Sequence, residues 1–121
     1  MNWRYAVKRF DSTKKIPDQD WQTLKELLIL TPSSFGLQPW KFLIVQNPEV
    51  RKQLRAASWN QSQVEDCSHL VVFLGKDTID EPFIKKYIDH HSAVQSLKPD
   101  SLKGYYDVIV NFIVKGPKAA V

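Results

Sequence analysis

An α+β fold, with elements ordered for a three-layer arrangement, follows from three features of this 121-residue chain. Trp21, Leu24, Leu27 and Leu28 recur at helical spacing. Two short apolar runs, at 41–45 and 69–74, have the length of strands rather than helices. Two more helical stripes, one of Phe83, Ile84, Tyr87 and Ile88 and one of Leu102, Tyr105, Tyr106, Ile109 and Ile113, follow the second run. The expected order is helix, loop, strand, helix, strand, helix, helix.

Residues 1–8 are expected to form a short helix running into the polar segment Thr13-Lys14-Lys15. The first strong helix starts at Pro17, because proline suits the first helical position and Asp18 and Asp20 put negative charge at the positive end of the dipole. A proline-rich and serine-rich loop, 31–40, separates that helix from the first strand, so the loop is expected to join two buried elements.

Asn47-Pro48-Glu49 reads as an N-cap with proline at N1, opening a helix with Val50, Leu54 and Ala57 on one side and an end near Ser58. Residues 59–63 are polar and carry no pattern. The run 69–74 is of central-strand type and stops at Gly75. Thr78-Ile79-Asp80-Glu81 matches a capping box, and His90 and His91 close the helix it opens. A last helix runs from about 100 to 115, with Gly116-Pro117 as its stop. Two strands make a marginal sheet in water, so further strands are expected from another segment or subunit.

The length and the 43% hydrophobic content fit one domain, 1–121, with a real core. No apolar run reaches membrane-span length and no signal-peptide pattern opens the chain, so a soluble cytoplasmic protein is the default expectation. The formal charge is +4, with the excess spread along the chain. Nucleic-acid modules cluster their basic residues with aromatics, and that clustering is absent. Cys67, the lone cysteine, lacks metal-ligand spacing and reads as buried filler. Adjacent His90 and His91 point about 100° apart on a helix and cannot share one metal ion. His69, at a strand edge, reads as a structural histidine.

Glycine-rich phosphate loops, the zinc-protease His-Glu-x-x-His and the Gly-x-Ser-x-Gly elbow are all missing. Two stretches carry chemistry instead. In the loop, Pro32 and Pro39 fix φ, Gly36 permits a left-handed backbone, Ser33 and Ser34 offer hydroxyls, and the Gln38 amide both donates and accepts. It is either a turn-rich connection or a cradle for a flat polar ligand. The N-terminal Arg4-Tyr5-Ala6-Val7-Lys8-Arg9-Phe10 is either a solvated basic turn or an anion site, with Arg4 bidentate on a phosphate and Lys8 a point charge.

The string Pro-Ser-Ser-x-Gly-x-Gln-Pro-Trp at 32–40 resembles the flavin-contacting loop of the FMN-dependent nitroreductase family, and neighbouring motifs match in order from Trp3 to about Gly116. The resemblance implies that family's three-layer α+β fold, of which only the N-terminal half is present. It also implies that Pro32, Ser33, Ser34, Gly36 and Gln38 pack on the flavin ring, often across a homodimer interface. Arg4, Ala6 and Lys8, with Tyr5 among them, occupy the places of an Arg-x-Ser-x-Arg/Lys segment that binds flavin phosphate and the pyrimidine edge. Ala6 there lacks the usual hydroxyl. Asn60, followed by Asp66, Ser68 and His69, matches a further motif, and Gln63 stands where many relatives place a lysine beside the ring. A neutral amide stabilises reduced, anionic flavin less than a cation does.

The implied activity is two-electron transfer from NAD(P)H through FMN to nitroaromatics or quinones, with no side chain acting as nucleophile or acid. The family's long central helix, further strands and C-terminal basic pair would all follow Val121. A fragment or binding module that does not retain flavin is therefore the alternative.

Overall fold

The computed structural model of the protein describes residues 3–98 and 100–116. Its elements are α1 (Asp18–Leu30), β1 (Trp40–Val45), α2 (Pro48–Ala57), α3 (Gln63–Asp66), β2 (Leu70–Gly75), α4 (Glu81–Val94) and α5 (Lys103–Ile109). A 3-10 turn, Ser34–Gly36, precedes β1, and a π-helical segment, Val110–Val114, continues α5. β1 and β2 pair in one two-stranded sheet. The chain divides into two compact units: the described residues of Met1–Thr31 with Lys41–Leu74, and those of Pro32–Trp40 with Gly75–Val121.

In the first unit, α1 begins at Asp18 with Pro17 in the N-cap position and Asp18 and Asp20 in its first turn. None of its residues is buried. Leu27, Ile29 and Leu30 are 56%, 65% and 75% exposed, which corrects the expectation that the loop joins two buried elements. Helical spacing of apolar residues shows that a face can be covered, not that it is. Residues 3–8 form no helix, correcting the expected one over that stretch, and Met1 and Asn2 lie outside the described residues.

The α2 start is as expected: Asn47 Oδ1 accepts from the Glu49 and Val50 N–H groups at 2.9 and 3.2 Å, with Pro48 at N1. Its buried residue, however, is Arg51, while Val50 and Ala57 are exposed. Arg51 Nε donates to Val45 O at 2.8 Å and Nη1 to Cys67 O at 2.8 Å. Longer bonds reach Glu65 O and Ser68 O. The guanidinium's rigid fork of donors thus ties the end of β1 to the segment entering β2.

Cys67 is half-buried rather than buried. From Trp40 to Ile44, β1 alternates between covered and exposed positions, as a strand with one covered face does, and it ends on buried Val45. Its Phe42 ring meets Phe73 of β2 edge-on at 5.1 Å. Phe73 and Leu74 are exposed, so β2 is not covered on both faces as a central strand would be.

In the second unit, Leu37, Ile84, Ile88, Ile109 and Val110 form the buried cluster, flanked by Phe35, Tyr87 and Tyr105. Each buried aliphatic side chain contributes about 1.5–3 kcal/mol. The stripe of Phe83, Ile84, Tyr87 and Ile88 faces this cluster, as its periodicity predicts. The cap of α4 is Asp80, whose carboxylate accepts from Phe83 N–H at 2.9 Å, so the cap lies two residues after Thr78 and, with Phe83 at N3, the expected box does not form. α4 also runs past His90 and His91 to Val94.

The last helix is shorter than expected and widens at its end, where Lys115 N–H reaches Val110 O, five residues back. Pro117, half of its expected stop, lies outside the described residues.

Candidate functional site

The sequence-predicted site residues fall in both units. Within the second, the loop is built around Leu37, which is 4% exposed and anchors it in the core. Ser33 is extended, Ser34–Gly36 make a single 3-10 turn, and Gly36 N–H closes on Ser33 O at 2.9 Å. The Ser33 hydroxyl oxygen accepts from Gln38 N–H at 2.8 Å, leaving its proton available to donate. Ser33 and Gln38 are thus brought together. Pro32, Ser34, Gly36 and Gln38 present exposed surface.

This loop carries backbone strain. Phe35 and Gln38 take φ of 55° and 44°, a left-handed region that costs a residue with a Cβ about 1–2 kcal/mol. Two contacts hold Phe35 there: Tyr105 Oη donates to its carbonyl oxygen at 2.9 Å, and its ring meets Phe112 edge-on at 5.5 Å. Gly36, at φ 67°, passes so close to Tyr87 that a Cβ would stand 2.7 Å from the phenol oxygen. Burial, and secondarily Tyr105, pushes the Tyr87 phenol above its ordinary value of 10.0, so it is a neutral hydroxyl at physiological pH.

In the first unit, Arg4, Tyr5, Ala6 and Lys8 lie exposed in irregular chain. Beyond them Asp11 Oδ1 accepts from Thr13 Oγ1 at 2.6 Å and Thr13 N–H at 3.0 Å, a turn that leads toward α1. Ile16 N–H then reaches Ser68 Oγ at 2.8 Å. Ser68 Oγ also meets His69 Nδ1 at 2.9 Å, and the His69 ring stacks on Trp21 at 4.0 Å. His69 is structural, as expected.

Asn60 lies in the connection between α2 and α3, and Gln63 is the first residue of α3. Trp59 and Asn60 are successive left-handed residues, at φ 51° and 56°. Asparagine adopts that conformation readily and tryptophan does not. Trp59 is 92% exposed. Arg55 Nε donates to Asn60 Oδ1 at 2.9 Å, and Arg55 Nη1 pairs with Glu65 Oε2 at 2.9 Å. Sequence reasoning missed the contacts that Arg55 and Glu65 make around Asn60 in the first unit and those that Tyr87 and Tyr105 make with the loop in the second. Arg55 stands five positions before Asn60 and was within reach of a local reading, whereas Tyr105 is 70 positions from Phe35.

Among the described residues, no group of three or more His, Cys, Asp or Glu side chains could hold a metal ion, and no helix is long and apolar enough to cross a membrane. Within the first unit Arg4, Lys8 and Asn60 are exposed, and within the second Ser34 and Gln38 are exposed beside Ser33.

Comparison with known proteins gives one consistent answer. The sequence profile of the nitroreductase family matches residues 1–111. YfkO of Bacillus subtilis (strain 168), named as a candidate NAD(P)H nitroreductase, is 42% identical over 106 residues, which cover 86% of this chain and 48% of that protein. Among solved structures, a nitroreductase-like protein from Streptococcus mutans shares the fold with a TM-score of 0.76 at 22% identity, covering 95% of this chain and 55% of that one. A candidate nitroreductase from Exiguobacterium sibiricum 255-15, solved in complex with FMN, aligns with a TM-score of 0.64 at 26% identity, covering 94% of this chain and 54% of that one. The chain spans about half the length of the relatives it matches. By profile, by sequence identity and by fold, this chain belongs to the nitroreductase family.

Proposed function

We propose that this chain is the flavin-holding portion of an FMN-dependent oxidoreductase that takes electrons from NAD(P)H and delivers them in pairs to nitroaromatics or quinones. The observation that carries the reading is the alignment of 94% of the chain with a family structure that contains FMN. FMN, when bound, supplies the hydride-accepting and hydride-donating centre.

The chain's own residues bind and orient. In this reading Arg4 and Lys8 take the phosphate and the pyrimidine edge of the ring, with Tyr5 and Ala6 contributing backbone. Pro32, Ser33, Ser34, Gly36 and Gln38 line the ring in a homodimer, and Asn60 and Gln63 hydrogen-bond its polar edge. Gln63, being neutral, leaves negative charge on the reduced ring less stabilised than a lysine would. The reading places the protein in the cytoplasm, where a lone thiol such as Cys67 persists.

A second reading, a non-catalytic piece that does not retain flavin, is favoured by the half-length match. Visible absorbance of the purified, desalted protein separates the two. A yellow protein that oxidises NAD(P)H when given a nitroaromatic or a quinone supports the enzyme. A colourless one that takes up no added FMN supports the second reading.

A further inference from the structure

Arg55 and Asn60 form a pair whose polarity is fixed by chemistry. A guanidinium can only donate, so the amide oxygen of Asn60 must face Arg55 Nε, as it does at 2.9 Å. The Nδ2 end of the amide is then turned away from Arg55. A freely rotating asparagine would offer its oxygen and nitrogen interchangeably, but this one has its oxygen directed at Arg55, which leaves the N–H donors as the end turned away from that partner.

The backbone reinforces the arrangement. Asn60 N–H donates to Arg55 O at 3.1 Å, Arg55 Nε makes a longer bond to Asn60 O at 3.4 Å, and both left-handed φ values occur at this turn. Glu65 closes the set by pairing with Arg55 Nη1, and both side chains are about a third exposed, at 32% and 30%. Glu65 fixes the direction of the guanidinium, which in turn fixes the amide. A charge-assisted bond to the amide oxygen also polarises its N–H groups into stronger donors.

We propose that Arg55 is a positioning residue: held by Glu65, it locks the Asn60 amide as an outward hydrogen-bond donor, so that the site accepts a ring edge bearing acceptor atoms and discriminates against one bearing donors. The inference rests on the flavin reading for the identity of that ring. Lysine at position 55 keeps the charge but lacks the planar fork that engages Asn60 and Glu65 together.

A double-mutant cycle tests it, using the whole chain with Arg55→Lys, Asn60→Ala and the pair, each titrated with FMN by flavin fluorescence and checked for melting temperature. Arg55→Lys is expected to weaken FMN binding about tenfold when Asn60 is present, the scale of one charge-assisted hydrogen bond, and to have no effect in the Asn60→Ala background. An equal loss in both backgrounds, or no loss in either, overturns the proposal.

If the unaltered chain binds no FMN, the flavin reading fails by itself and the side-chain amide resonances of Asn60 decide the positioning role. Two sharp, exchange-protected NH2 signals that collapse in Arg55→Lys uphold the role. Signals indifferent to that substitution overturn it.

Discussion

The Tyr105 hydroxyl donates to the carbonyl oxygen of Phe35 at 2.9 Å, joining a residue of α5 to the left-handed corner of the serine loop. The corner's φ of 55° is unfavourable in isolation, so an external tie is what makes the conformation persist. Tyr105→Phe removes that tie and leaves the carbonyl without it. It should lower unfolding free energy by about 1 kcal/mol, measured by urea denaturation, and raise amide exchange at 34–38 more than elsewhere.

Gly36 combines a positive φ with a close approach to Tyr87. Gly36→Ala is expected to cost roughly 2–3 kcal/mol in denaturant melts, from strain and overlap together. Because the nearer atom is the phenol oxygen, with the ring carbon behind it at 3.7 Å, Gly36→Ala in a Tyr87→Phe background should recover the overlap part and retain the backbone part. No recovery would place the whole cost in the backbone.

Alkaline pH should weaken the second unit through the same tyrosine. Burial raises the folded-state value of Tyr87 above 10.0, so the folded protein holds a proton that the unfolded chain releases. Its contribution is complete below pH 10 and is lost as pH rises from there through the folded value. Melting temperature recorded from pH 8 to 11 should therefore fall more steeply in the unaltered protein than in Tyr87→Phe.

Arg51 is buried with its guanidinium directed at backbone carbonyls of Val45, Glu65, Cys67 and Ser68. Arg51→Met, which keeps most of the stem, strips those carbonyls of their donor. With charged hydrogen bonds worth roughly 1.5–3 kcal/mol and only partly additive, the substitution should cost about 3 kcal/mol by chemical denaturation. Arg51→Lys should rescue less than half, since one ammonium cannot reach both ends of the bridge.

The proposed phosphate site makes a prediction that ring contacts do not. Arg4→Gln should weaken FMN binding about tenfold while leaving riboflavin, which lacks the phosphate, unchanged, whereas Lys8→Gln, at the pyrimidine edge, should weaken both flavins alike. Isothermal titration with both flavins measures the ratio. Equal losses of the two flavins in Arg4→Gln would move that cation away from the phosphate.

How far the sequence carried the reading depends on how local each feature is. The Asn47-Pro48 cap and the stripe from Phe83 to Ile88 are set by neighbours within a turn or two, and both stand as read. The α4 cap was misplaced because Thr78 and Asp80 are equally good capping types, and only the observed bond to Phe83 N–H distinguishes them. The exposed α1 face was misjudged because periodicity describes a helix and not what lies against it. For the loop, a ligand cradle was one of two readings its residues left open, and Asn60 entered only through family resemblance. Tyr105, Tyr87 and Arg51 act through contacts between separate elements, which no local pattern encodes.

The π-helical turn has a final consequence at the level of codons. Where the chain leaves it, any Cβ at Gly116 would collide with the carbonyl oxygen of Phe112, a residue of that turn. Every missense change of a glycine codon adds at least that one carbon, so no allele with a coded replacement at 116 can keep this turn as it is.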